Sequence, residues 1–66
     1  MKVRIGQTDS GLFWLVPETN TREYAEISQN KGTVEADLSD EVVKQLIQAY
    51  KDYDWMQDVL SEAWEA

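Results

Sequence analysis

The sequence predicts a small α+β domain: an antiparallel β-meander of three or four strands, followed by one long C-terminal α-helix packed on one face. Three observations predict it. Through residues 1–38, short apolar stretches are separated by clusters of Gly, Pro, Asn, Asp and Ser, which punctuate strands. From Asp40 to Trp64 there is no Gly and no Pro, and apolar residues recur at helical spacing. The whole chain is 66 residues, enough for one domain spanning 1–66, with the meander in 1–38 and the acidic helix in 39–66.

The elements follow in order. Lys2 to Gly6 alternates polar and apolar residues, placing Val3 and Ile5 on one face of a first strand. Gln7 to Gly11 is rich in turn formers, and Leu12 to Val16 is a continuous apolar run ended by Pro17, so the first two strands should form a hairpin with a five-residue loop. Leu12, Trp14 and Val16 point to one side of that second strand, Phe13 and Leu15 to the other. A single helix covers only one face, so the other set is expected either to be covered by loops or strand curvature, or to mark an interface. Pro17 to Asn20 reads as a turn, Thr21 to Ser28 as a third strand and Thr33 to Leu38 as a fourth.

Ser39 then offers a hydroxyl to the first turn of a helix, and Asp40 and Glu41 sit where the positive end of the helix dipole favours them. A helix from Asp40 to Trp64 would be about 37 Å long. Val42, Leu46, Ala49, Tyr53, Met56, Leu60 and Ala63 form a heptad-spaced seam along it, widened by Val43, Ile47 and Tyr50. Strands of 5–6 residues span only about 17–20 Å, so the last turns are expected to project past the sheet.

Composition excludes several function classes. There is no Cys and no His, which removes disulfides, thiolate chemistry and the commonest metal ligand and general base. No serine has a histidine to activate it. The stretch beginning Asp52-Tyr53-Asp54 resembles the opening of a calcium loop, but Met56, Gln57 and Ala63 stand where ligands and glycine are required. Gly6 and Gly11 are too far apart to cradle a phosphate. The reading is therefore of a non-enzyme with no cofactor and no metal. No apolar region follows Lys2 and Arg4, and the longest apolar run is Leu12 to Val16, which predicts neither leader nor membrane span and a cytoplasmic location.

Charge is the informative feature. The net charge is −7, from 13 acids and 6 bases, which argues against direct binding to nucleic acid or to an anionic membrane. Residues 1–34 balance Lys2, Arg4, Arg22 and Lys31 against Asp9, Glu18, Glu23 and Glu26; the imbalance lies wholly in residues 35–66. Beyond Lys51 no base follows, yet Asp52, Asp54, Asp58, Glu62 and Glu65 do. Asp54, Asp58 and Glu62 stand at i, i+4 and i+8, where each like-charge pair costs about 0.2–0.5 kcal/mol. Acids near a helix C-terminus also oppose the dipole by about 0.3–1 kcal/mol each. One consequence is a solvated face that keeps the protein soluble. The sharper reading is a ridge that binds a positive surface. Carboxylates one turn apart are separated by about 5–6 Å, broadly like successive phosphates on a nucleic-acid strand. Such a ridge could occupy a Lys/Arg groove built for DNA or RNA, with Asp54, Asp58, Glu62 and Glu65 supplying charge and Asp52 secondary. Trp55 and Trp64 would anchor it, since aromatics are enriched at interface centres.

The Met1-Lys2-Val3-Arg4-Ile5 start, the hairpin, and the run Leu38-Ser39-Asp40-Glu41-Val42-Val43-Lys44-Gln45-Leu46 opening an acidic, aromatic-rich terminal helix together resemble small accessory proteins of bacteriophages and prophages. That resemblance implies a role in phage–host conflict, as an anti-CRISPR, anti-restriction or host-enzyme inhibitor acting on a basic host protein in the host cytoplasm. The alternative is a structural or assembly protein that homodimerises through the helix seam or the apolar second strand.

Overall fold

The computed structural model describes residues 1–30, 32–48 and 53–65, the side chain of Tyr53 excepted. Its elements are β1 (Lys2–Gln7), β2 (Phe13–Pro17), α1 (Thr21–Ile27), β3 (Val34–Asp37), α2 (Asp40–Gln48) and α3 (Tyr53–Glu65). The α+β class and an antiparallel sheet of three strands are as expected; the meander order, the strand expected over 21–28 and the single C-terminal helix are not.

The hairpin forms as read. β1 pairs with β2 antiparallel, with Ile5 opposite Leu15 and Gly6 opposite Trp14, across the five residues from Thr8 to Leu12. Gly11, at φ +92°, supplies the left-handed backbone that side chains resist, and its N–H donates to the Thr8 carbonyl at 2.9 Å. At Gly6 the reason for glycine is different. The Trp14 indole lies directly over it, and a Cβ there would fall inside the ring.

The sheet order is β2-β1-β3, so β1 is central and the arrangement is not a meander. β3 is antiparallel to β1, with Val3 opposite Ala36 and Ile5 opposite Val34. Both outer strands oppose β1 and therefore run parallel to each other. A chain passing between parallel strands must cross a face of the sheet, and such crossings are usually helical. Thr21 to Ile27, expected as a strand, is accordingly the helix α1. Locally the residues agree: Tyr24 and Ile27, one turn apart, are its half-buried positions, and Glu23 sits in the first turn. The Asn20 side-chain amide donates to Glu23 at 2.7 Å.

The C-terminal half is not one helix. Twenty-six residues from Asp40 to Glu65 would extend about 39 Å as a straight helix, whereas the longest dimension of the molecule is 28 Å. Instead α2 and α3 are separate elements, and Ala49, Tyr50, Lys51 and Asp52 between them lie outside the described residues. As expected, Ser39 caps α2: its hydroxyl accepts the Val42 N–H at 3.2 Å and its carbonyl the Val43 N–H at 3.0 Å. Lys44 is not ion-paired with Asp40 or Glu41. Asp40 meets the Met1 amine at 3.2 Å, as does Asp37, and that amine also donates to the Leu38 carbonyl at 2.7 Å.

Both faces of the sheet are thus occupied. Val3 and Ile5 pack with Val43, Leu46 and Leu60 in one core, to which Phe13, Leu15, Ala36, Met56 and Trp64 contribute half-buried surface. On the opposite face, buried Val16 and the Trp14 ring lie towards α1, which contacts β1 and β2. The second face of β2 is therefore covered by the segment expected to be a third strand. Arg4, also on that face, meets Glu35 at 3.6 Å, as does Lys2. The buried Arg4 Nε has no hydrogen-bond partner among the described residues.

Candidate functional site

The acidic residues of the C-terminal segment are set out by the geometry of α3. At about 100° per residue, Asp54, Asp58, Glu62 and Glu65 fall within an arc of about 80°, and all four are exposed. Leu60 projects about 160° from the centre of that arc and is fully buried. The helix is thus amphipathic for a simple reason: one side carries the residue that seals the core, and the other carries only carboxylates. Asp52, the remaining candidate, lies outside the described residues.

None of the four carboxylates is ion-paired with a described residue. Among the described cations, Arg4 and Lys2 meet Glu35, and Arg22 meets Glu26 at 3.8 Å; Lys31 and Lys51, the latter three residues before Asp54, lie outside the described residues. α3 contains no basic residue in its last turn, so Glu62 and Glu65 face the negative end of the helix dipole unneutralised.

The two tryptophans occupy different settings. Trp55 follows the acidic arc by about 20° on the helix surface, half-buried against the core. Trp64 is turned towards the sheet, with its ring centroid 5.6 Å from that of Phe13 and the planes inclined at 54°. Much of the surface of Trp64 is therefore engaged in joining α3 to β2, while Trp55 borders the ridge.

Gln57, which nothing in the sequence singled out as a contact, joins α3 to the sheet at two points. Its amide accepts the Phe13 N–H at 2.8 Å and donates to the Phe13 carbonyl at 2.8 Å. A side-chain amide thus stands where the backbone of a further strand would pair. Between Met56 and Asp58 a glutamine has the appearance of ordinary polar surface, and only the tertiary structure shows what it meets.

Among the described residues no group of three or more acids is placed to hold a metal ion, and no helix is long and apolar enough to cross a membrane. Comparison with protein-family models, with curated proteins and with solved structures found no match to this chain.

Proposed function

We propose that the chain is a non-enzymatic binding protein whose α3 ridge docks on a basic, nucleic-acid-binding surface of another protein and excludes the nucleic acid. One observation supports this above the others. Asp54, Asp58, Glu62 and Glu65 share one exposed face of α3, without an ion pair to any described residue. Folding alone favours the opposite arrangement, with Lys or Arg in the last turn. The repeated acids sit about one turn apart, close to the separation of neighbouring phosphates. An inhibitor of phage or mobile-element origin is the setting in which such mimicry has an obvious use, through the resemblance of the chain to phage accessory proteins.

The heptad seam read from the sequence does not offer an open dimer surface among the described residues. Leu46 and Leu60 are buried, and Val42, Met56 and Ala63 pack against the same core.

Low-salt capture of proteins from a bacterial lysate, eluted with a salt gradient, tests the proposal. The expected partner elutes early in the gradient, because exposed charge pairs are screened. It is also displaced by added DNA or RNA, and it is lost with the D54K/D58K/E62K variant. Retention of the same partner by that variant overturns the proposal.

A further inference from the structure

Residues 14–17 of β2, an edge strand of the sheet, line a slot of about 470 Å³. On one side the slot is walled by Trp14 and Val16 with Glu23 of α1, and on the other by Leu46 and Ile47 of α2 with Met56 of α3. The hydrogen-bond pattern shows which backbone groups face it. Thr8 and Glu18 donate to the Leu12 and Lys2 carbonyls. The even-numbered residues of β2 therefore bond to β1, and the odd-numbered ones point outward. Outward from Phe13, both groups are taken by Gln57. Outward from Pro17 there is no N–H, and its carbonyl accepts from Asn20 at 3.0 Å. Between them, the Leu15 N–H and C=O point into the slot, and among the described residues no hydrogen bond outside the ladder reaches either.

We propose that this slot binds a short extended peptide segment of a partner protein, which adds to β2 as a further strand. The register defines its chemistry. The peptide residue opposite Leu15 exchanges both backbone hydrogen bonds with it and shares its face, so its side chain enters the apolar wall of Leu46, Ile47 and Met56. The flanking residues turn to the other side, towards Trp14 and Glu23. A Lys or Arg there lays its aliphatic stem along the indole and its charge beside the carboxylate. An apolar residue flanked by a basic one is thus the motif, complementary to an exposed Glu23 on a chain of net charge −7. Room is limited to about three residues, or about 10 Å of strand, because Gln57 closes one end and Pro17 with Asn20 the other. A second copy of the chain fits less well, since the helices walling the slot stand between its sheet and this edge. The surface is separate from the α3 ridge, and the inference does not rest on it.

Selection of a random heptapeptide library on the full chain, followed by amide hydrogen exchange by NMR, tests this. Enriched peptides are expected to share an apolar residue with a neighbouring Lys or Arg. At saturation the best of them should slow exchange of the Leu15 amide at least tenfold. N-methylation of its apolar residue and the E23K substitution should each weaken binding at least tenfold, while D54N/D58N/E62Q should change it less than threefold. I47D, at an exposed position, provides a second variant, expected to weaken binding at least tenfold. The proposal is overturned by no enriched motif, an unprotected Leu15 amide, equal binding of the N-methylated peptide, or loss of binding with D54N/D58N/E62Q but not with E23K. Leu15 protection that grows with protein concentration in the absence of peptide also overturns it, by assigning the edge to a second copy.

Discussion

At the scale of single residues, the fold depends on contacts between positions far apart in the chain. Gln57 is the clearest case. Its amide satisfies both outward groups of Phe13, which would otherwise lie half-buried beneath α3 without partners. Leaving a donor or acceptor unsatisfied in such a setting costs about 1–3 kcal/mol. Q57A should lower stability by about that amount in urea unfolding, well above the few tenths expected of a surface substitution. Gly6 shows the same dependence from the other side. It reads as the end of a strand, yet it is the one position in β1 over which the Trp14 ring can lie. Neither role has a local signature, because each is defined by a neighbour reached only after folding.

At the scale of elements, what was legible was what is encoded locally. The hairpin was legible because its turn formers and its alternation agree. The start of α2 was legible because Ser39 and the acids after it form a capping pattern that needs no tertiary partner. The identity of Thr21–Ile27 was not. Its seven residues contain Tyr24, Ala25 and Ile27, compatible with either period over so short a span, and the crossover between the parallel strands β2 and β3 decides for a helix. Proline at Ala25 discriminates the two conformations. Ala25 is exposed, and in a helix interior proline removes a hydrogen bond and clashes with the preceding turn, at a cost of about 3 kcal/mol. A25P should therefore destabilise the chain by that order in chemical denaturation; an unchanged midpoint would place residues 21–27 in an edge strand. Sequence spacing overstates the length of the C-terminal helix for a related reason. Helical spacing and the lack of Gly and Pro run from Asp40 to Trp64, but a three-stranded sheet of short strands cannot bury about 37 Å of continuous apolar stripe. Two helices bring Val43, Leu46 and Leu60 onto the same Val3 and Ile5. The acidic face of α3, by contrast, follows from spacing alone, and its exposed members lie where the i, i+4 pattern puts them.

At the scale of the whole molecule, electrostatics links folding to pH and to partners. The Met1 amine is raised above its ordinary value of 8.0, first by its hydrogen bond to Asp37 and then by that to Asp40. The folded state therefore holds this proton more tightly than the unfolded chain. Its contribution is fully present below pH 8 and is lost as pH rises through the higher folded value. The unfolding midpoint should fall as pH is raised above 8, and D37N/D40N should flatten that decline; an identical decline in the variant would assign it to other groups. The larger imbalance, seven net negative charges carried by residues 35–66, is what the proposed function uses. If α3 is shaped by binding, its carboxylates cost stability in the free protein and return it in the complex. The most direct measurement is a paired one on D54N/D58N/E62Q, combining urea unfolding of the free chain with titration against the captured partner at two salt concentrations. The account predicts a free protein more stable by about 0.4–1 kcal/mol, from two relieved like-charge pairs, the dipole repulsion relieved at Glu62 being offset by the favourable dipole interaction lost at Asp54 in the first turn of α3, and at least tenfold weaker binding with a shallower salt dependence. A variant of unchanged affinity and unchanged salt dependence would contradict it.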